Sequence, residues 1–209
     1  MTTRDGVPLL IQAGVSVTTT LPQGTPDAVR TQLKWLVENG PETGLFLGAS
    51  SSVAPGVPPE NLDVQREVTR STTTPIAAGE NVYRVHGQRR LIEEGAVDVI
   101  TPDLPKVGGM RETRKIADLA DLYYVPVAIH NVASPVATAA AAHVASAIPN
   151  ALAVEFHSYQ LDWWGDLVEE PLVEDGRIEV SEAPGLGVTL DLDAVEAHMV
   201  DGEALFDES

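Results

Sequence analysis

Four apolar runs in the second half of the chain each end in a polar residue and each lead into a predicted helix. The polar residues are Glu80 in PIAAGEN, Asp103 in VDVITPD, His130 in VPVAIHN and Glu155 in ALAVEFH. Consecutive members lie 23, 27 and 25 residues apart, which is about what one strand, one helix and two short loops occupy. Each repeat is therefore predicted to be one βα unit.

The first part of the chain adds a further βαβα pattern. We predict a strand at Val15–Leu21, a helix after the N-cap Thr25, a buried strand at Gly44–Ser50 and a short helix near Glu60–Arg70. Repeated βα units favour a parallel barrel, whose strands all open their carboxyl ends onto one face. The chain has 209 residues, fewer than the roughly 250 of a complete eightfold barrel. We therefore predict an α/β fold, a partial (β/α)8 TIM-type barrel of about six βα units.

The composition and the net charge of the chain limit the kinds of molecule that it is expected to bind. The chain has 31 acidic and 13 basic residues, with a formal net charge of −18, so binding to nucleic acid or to anionic membranes is not expected. Lysine contributes only Lys34, Lys106 and Lys115, a balance that resembles proteins of salt-loving archaea, although an ordinary acidic protein is the alternative. There is no cysteine, and no apolar run suits a signal peptide or a membrane span. A cytoplasmic location is expected.

The polar strand ends suit acid and base chemistry at a metal. Glu80 offers the hard oxygen that Mg²⁺ prefers, and Asp103 can fix the tautomer of His130 and raise its basicity, which makes a general acid or base. Glu155 either hydrogen-bonds a developing negative charge when protonated or helps to hold the substrate. His157 is a candidate substrate contact or a structural histidine. Any one of these residues alone is often structural, so the interpretation depends on their convergence.

The same motifs, followed by PGLGVTLD, resemble the C-terminal half of the mandelate racemase branch of the enolase superfamily, and most closely its sugar-acid dehydratases. The resemblance covers Pro75 to Phe206. It implies that Glu80 is the third metal-binding carboxylate, that Asp103 and His130 are the acid–base dyad, and that Glu155 is the acidic residue on the last barrel strand.

The resemblance implies Mg²⁺-dependent dehydration of a sugar acid, an aldonate, to a 2-keto-3-deoxy sugar acid. In that family a base removes the α proton, Mg²⁺ stabilises the enediolate, and a general acid, commonly the dyad histidine, helps the 3-hydroxyl to leave. In some members the dyad histidine also serves as the base. We assign no catalytic role to Lys106. The N-terminal capping domain and the first two metal carboxylates of the family are not recognised here. We therefore expect a lyase that forms a homo-oligomer, whose activity as a truncated or fused chain stays open.

A second resemblance concerns residues 6–68. There GTPDAV and GLFLGASSSVAPGVPPENLD resemble the C-terminal end of the uroporphyrinogen decarboxylase family, with Ser50–Ser52 in place of a common histidine. The change of character at Ser71–Thr74 then places a boundary between a first domain, 1–70, and a second, 71–209. The alternatives are a uroporphyrinogen decarboxylase-like protein and a non-catalytic barrel fragment or partner subunit.

Overall fold

The computed structural model describes six parallel strands and the helices that connect them. The residues described are 11–15, 20–40, 45–49, 66–67, 69–156, 161–203 and 205. The strands are β1 Ile11–Val15, β2 Leu45–Ala49, β3 Ala77–Ala78, β4 Val99–Ile100, β5 Val127–Ile129 and β6 Ala151–Val154. The α-helices are α1 Thr20–Gln23, α2 Pro26–Asn39, α3 Arg84–Glu93, α4 Leu104–Val107, α5 Met110–Leu122, α6 Pro135–Ala147 and α7 Leu192–Ala197. Gly165–Leu167 forms a 3₁₀ helix, and residues 66, 67 and 69–71 are helical.

The strands follow one another in space in the order that they have in the sequence. β1 pairs with β2, and β3, β4, β5 and β6 form a second ladder, with every pairing parallel. A parallel bridge between Leu47 and Ile76 brings β2 beside β3. Parallel neighbours joined by helices are the arrangement of a βα barrel. The predicted partial barrel is confirmed, with six strands among the described residues.

The first predicted strand, Val15–Leu21, overlaps the observed strand β1 only at Val15 and is wrong at Thr20 and Leu21, which are helical. Residues 16–19 lie outside the described residues. The β-branched run Val15–Leu21 favours a strand, but β1 ends at Val15, and Thr20 begins a helix. Pro22 suits a first helical turn and cannot donate to a ladder, and the Gly24 amide closes the turn on the Thr20 carbonyl at 3.0 Å. Local turn chemistry therefore overrides the β-branched preference.

The other early predictions agree with the structure where it describes them. Thr25 caps α2 by accepting a hydrogen bond from the Ala28 amide at 3.2 Å, and the helix ends at Gly40. β2 lies inside the predicted strand, and the end of the predicted Glu60–Arg70 helix is helical. Within the described ranges, no helix has the length and apolar character needed to cross a membrane.

The main core lies between β4, β5 and the helices that cover them. Ile100, Ile116 and Ile129 are fully buried there, and burying each such side chain contributes roughly 1.5–3 kcal/mol. Four consecutive alanines of α6, Ala139 to Ala142, are buried. Ala140 and Ala141 belong to this core, where small side chains let the helix approach the sheet closely. The core therefore fixes the strands whose carboxyl ends carry the polar residues.

Candidate active site

The backbone ladder continues past the strands and brings their polar ends together. Asp103 and His130 form an isolated parallel bridge, in which the His130 amide donates to the Pro102 carbonyl at 3.1 Å. The Glu155 amide donates to the Ile129 carbonyl at 2.9 Å. Asp103, His130 and Glu155 therefore stand on three adjacent strand ends, as the spacing predicts.

Asp103 and His130 form the predicted pair. Asp103 Oδ2 lies 2.9 Å from His130 Nδ1, and both side chains are largely buried. Asp103 is also the N-cap of α4, where its Oδ1 accepts a hydrogen bond from the Lys106 amide at 3.1 Å. One carboxylate oxygen thus fixes the helix and the other orients the imidazole.

The environment favours an ionised Asp103 and a protonated His130. Burial by itself would raise the pKa of Asp103, but hydrogen bonds from His130 and Lys106 outweigh it and lower that pKa below its ordinary value. Burial by itself would lower the pKa of His130, but the Asp103 hydrogen bond and the charges of Glu155 and Glu80 raise it above its ordinary value. Each partner therefore favours the charged form of the other.

Glu155 approaches the other nitrogen of the imidazole. Glu155 Oε2 lies 3.6 Å from His130 Nε2, and the Glu155 side chain is 35% exposed. At that distance the two groups attract without a direct hydrogen bond. His130 Nε2 is thus the atom of the pair that can exchange a proton with a bound molecule.

Asn131 is a functional residue that the sequence reasoning missed. Its backbone amide donates to Glu155 Oε2 at 3.0 Å, and its side-chain Nδ2 donates to the Glu155 carbonyl at 3.1 Å and to buried Thr138 Oγ1 at 2.8 Å. The sequence signal is only an asparagine beside a strand-end histidine, with nothing to indicate its partners. Asn131 fixes the Glu155 carboxylate relative to the dyad.

Glu80 stands at the end of β3, in a turn that requires glycine before it. Gly79 has φ +134°, and a Cβ there would lie 2.7 Å from Gln88 Oε1. Glu80 is 6% exposed, and burial raises its pKa against the opposing charges of His130 and Lys106. A buried carboxylate with a raised pKa in such a group marks a candidate functional position.

Lys106 also lies in the site, although the sequence analysis assigned it no catalytic role. Its Nζ is 3.1 Å from Asp103 Oδ2 and donates to Asn81 Oδ1 at 3.2 Å. Asn81 directly follows Glu80, so Lys106 spans the strand ends of β3 and β4. Lys106 lies three residues after Asp103 in the sequence, but its contact with Asn81 depends on the turn after β3.

An aromatic pair lies beside Glu155. Phe156 packs edge-on against Trp164 with ring centroids 5.5 Å apart, and Trp164 Nε1 donates to the Ala133 carbonyl at 3.0 Å. Phe156 follows Glu155 in the chain and is half exposed. The predicted substrate contact His157 lies outside the described residues and stays a prediction.

Glu80 fits Mg²⁺ in the kind of donor it offers, since a buried carboxylate oxygen is a hard ligand. Within the described ranges, no group of three or more histidine, aspartate or glutamate side chains is placed to hold a metal ion. The residues after β1 and after β2 fall outside those ranges. Of the three metal carboxylates that the resemblance implies, Glu80 is the one assigned within the described ranges, and its metal role stays a prediction.

The comparisons with known proteins decide the family. Residues 56–195, more than half of the chain, match the family described as enolase C-terminal domain-like. The chain belongs to this family. All four strand-end residues lie in the matched span. The match begins before the predicted boundary at residue 71 and does not test it.

Several relatives and solved structures are similar to the chain over most of its length. A D-xylonate dehydratase of Haloferax volcanii is 72% identical over 153 residues, which are 73% of this chain and 37% of that protein. A D-gluconate/D-galactonate dehydratase of Picrophilus torridus is 33% identical over 141 residues, 67% of this chain and 36% of that protein. The crystal structure of a mandelate racemase/muconate lactonizing enzyme-like protein from Rubrobacter xylanophilus superposes with a TM-score of 0.72 at 36% identity, covering 93% of this chain and 58% of that one.

The chain thus spans well under half the length of the curated relatives it matches. These relatives give no support to a uroporphyrinogen decarboxylase-like function or to a non-catalytic role. The resemblance of the first section to that decarboxylase family stays a prediction, as do the expected homo-oligomer and the origin in a salt-loving archaeon.

Proposed function

We propose that this family member carries the acid–base part of a sugar-acid dehydratase site, with an aldonate such as xylonate as the substrate class. The observation that carries the proposal is the alignment of Asp103, His130 and Glu155, with Asp103 Oδ2 2.9 Å from Nδ1 and Glu155 Oε2 3.6 Å from Nε2 of one imidazole. The dehydratase relatives support this choice of reaction.

In the proposed reaction His130 is the general acid. Asp103 holds the Nδ1 proton, so the Nε2 proton is the one available for transfer to the 3-hydroxyl, which leaves as water. The Asp103 hydrogen bond and the charges of Glu155 and Glu80 raise the pKa of His130 above its ordinary value, which favours the acid role over the base role. If His130 is the acid, the base that removes the proton from the carbon beside the substrate carboxylate is a different group.

Glu155 and the aromatic pair orient the substrate in this proposal. The Glu155 carboxylate, fixed by the Asn131 amide, accepts hydrogen bonds from substrate hydroxyls beside the departing group. Phe156, the next residue in the chain, is half exposed, and in this proposal its ring packs against the C–H face of the polyol chain. The acidic and apolar elements together position the 3-hydroxyl near Nε2.

Mg²⁺ is part of the proposal because Glu80 suits it. The ion would be held by the Glu80 carboxylate together with further oxygen ligands, and it would polarise the substrate carboxylate and so acidify the neighbouring proton. Glu80 is 6% exposed, and the low dielectric of a buried position would strengthen the attraction between its ionised carboxylate and a cation.

The test is calorimetric binding of Mg²⁺ and of xylonate, gluconate and galactonate to the chain in high salt, followed by an assay for the 2-keto-3-deoxy product. We expect saturable sugar-acid binding that needs Mg²⁺ and is lost in Glu80→Gln. His130→Gln should retain binding but lose product formation.

A matched control is His143→Gln, because His143 is also a partly buried histidine with one hydrogen bond, from Nε2 to the Leu186 carbonyl at 3.1 Å, and it lies away from the dyad. This variant should behave like the wild type. Failure of every sugar acid to bind in the presence of Mg²⁺ would overturn the proposed function, as would binding that Glu80→Gln leaves intact.

A further inference from the structure

Lys106 holds both oxygens of the dyad carboxylate. Its backbone amide donates to Asp103 Oδ1 at 3.1 Å, and its Nζ lies 3.1 Å from Asp103 Oδ2. Oδ2 is also the atom that pairs with His130 Nδ1 at 2.9 Å. The ammonium and the imidazole therefore share a single acceptor oxygen.

We propose that Lys106 is a positioning residue of the site, which fixes the Asp103 carboxylate and competes with the His130 ring for its negative charge. An oxygen that accepts from two cationic donors attracts each of them less than it would attract one alone. Lys106 therefore limits how tightly the imidazole holds its proton.

The second contact of Lys106 extends this role to the strand end that carries Glu80. Nζ donates to Asn81 Oδ1 at 3.2 Å, so one side chain ties the turn after β3 to the carboxylate after β4. The charged groups that act on His130 from the neighbouring strand ends are Glu80, Asp103 and Glu155. In this proposal Lys106 supplies a positive charge that partly offsets them.

Lys106 differs from an ordinary surface ion pair in where its partner lies. Its side chain is 33% exposed and that of Asp103 is 6% exposed. Lys115 makes a similar pair three residues along its helix, with Nζ 3.0 Å from Glu112 Oε2 and exposures of 50% and 12%. Glu112 caps the start of α3 through the Val85 amide, away from the dyad. Lys115 is therefore a matched control.

The experiment is an NMR titration of the His130 ring protons in the metal-free chain at high salt, with the signal assigned by its loss in His130→Gln. In Lys106→Met the full Asp103 charge acts on the imidazolium, so we expect the titration midpoint to rise by about half a pH unit. Lys106→Arg should keep the wild-type midpoint because it keeps the cation. Lys115→Met should leave the midpoint unchanged.

The direction of the shift separates this role from a merely structural one. If Lys106 only stiffened the loop, Lys106→Met would loosen the dyad and the midpoint would fall towards that of a free histidine. A fall, or no change, would overturn the inference. If Lys106→Met does not fold, Lys106→Gln serves instead, since it keeps a hydrogen-bond donor but not the charge, and it should give the same rise.

The inference rests on the proposed acid–base role of the dyad, but the titration needs neither Mg²⁺ nor turnover. A midpoint that rises in a chain that binds no sugar acid would support the role of Lys106 and count against the proposed function. A midpoint that does not rise, in a chain that does bind sugar acids, would overturn the Lys106 inference and leave the proposed function standing.

Discussion

Replacing Gln88 by methionine should loosen the turn that carries Glu80. Gln88 is fully buried on α3, and its Nε2 donates to the Gly79 carbonyl at 2.7 Å and to the Val82 carbonyl at 2.8 Å. These carbonyls flank Glu80 and Asn81. Methionine has a similar size but no donor, so Gln88→Met removes both hydrogen bonds and leaves the packing nearly unchanged.

The magnitude follows from three contributions. Two lost hydrogen bonds cost about 1 kcal/mol each, and stranding a buried carbonyl costs about 1–3 kcal/mol. The Gly79 carbonyl keeps the Val82 amide at 3.1 Å, so the Val82 carbonyl bears most of that loss. Methionine also removes Gln88 Oε1, a buried acceptor with no partner among the described residues, which returns part of the cost. We expect Gln88→Met to lower the free energy of unfolding by about 1–3 kcal/mol.

Asn150 provides a control of the same chemistry at the other end of the sheet. Its Nδ2 donates to the Ala117 carbonyl at 3.1 Å and to the Val125 carbonyl at 3.0 Å, and its Oδ1 likewise has no partner in the described part of the chain. Asn150 directly precedes β6, on the opposite side from the strand ends that form the site. Asn150→Leu should therefore cost a similar free energy without touching Glu80.

The assay combines urea unfolding at high salt with hydrogen exchange of the Val82 amide, which donates to the Gly79 carbonyl. Both variants should lose similar stability, but only Gln88→Met should lose protection at Val82 beyond that global loss. Unchanged stability in Gln88→Met, or equal Val82 protection in the two variants, would refute the reasoning.

Three further predictions concern charge. Because burial raises the pKa of Glu80, the folded state favours its neutral form, and the wild type loses stability as pH rises through that pKa. Glu80→Gln should therefore have a higher melting temperature than the wild type at pH 7 but not at pH 4. Equal melting temperatures at pH 7 would contradict this. Asp103→Asn keeps a cap for α4 but removes the negative charge that favours the protonated form of His130. The pKa of His130 measured by NMR should therefore fall. An unchanged pKa would show that the Asp103 carboxylate is not the main cause of its raised value. With 31 acidic against 13 basic residues, KCl should raise the melting temperature by screening repulsion, whereas sucrose at matched osmolality should raise it less; an equal effect of both would argue against screening.

Backbone placement was largely predictable from the sequence. A βα unit has a narrow range of lengths, so the spacing of Glu80, Asp103, His130 and Glu155 locates strand ends, and parallel pairing then brings those ends together. Sequence signals failed where two local preferences compete, as in Val15–Leu21, because β-branched residues and a helix start with proline give opposite indications. Only the three-dimensional turn decides between them.

Side-chain partners were much less predictable. Asn131 and Lys106 each contact a residue at a neighbouring strand end, and Gln88 contacts the turn after β3. Such contacts depend on the rotation of a helix and on the exact course of a turn. Gln88 falls on a helix whose pattern predicts only a buried face. A polar residue on that face is visible in the sequence, but the carbonyls that it satisfies are not.

The candidate site is held together by residues that lie within three positions of its reactive groups in the sequence. Asn131 follows His130 and fixes Glu155, and Lys106 lies three residues after Asp103 and reaches the residue next to Glu80. Each link joins one strand end to the next, so the four groups are positioned by the strands that carry them. This explains how a chain that spans 37% of a dehydratase relative can retain a formed dyad. It also separates the two parts of the proposed chemistry: the acid–base part depends on contacts within the described residues, whereas cation affinity depends on ligands that must join Glu80. We therefore expect that variants of this chain can change the titration midpoint of His130 and leave the affinity for Mg²⁺ unchanged.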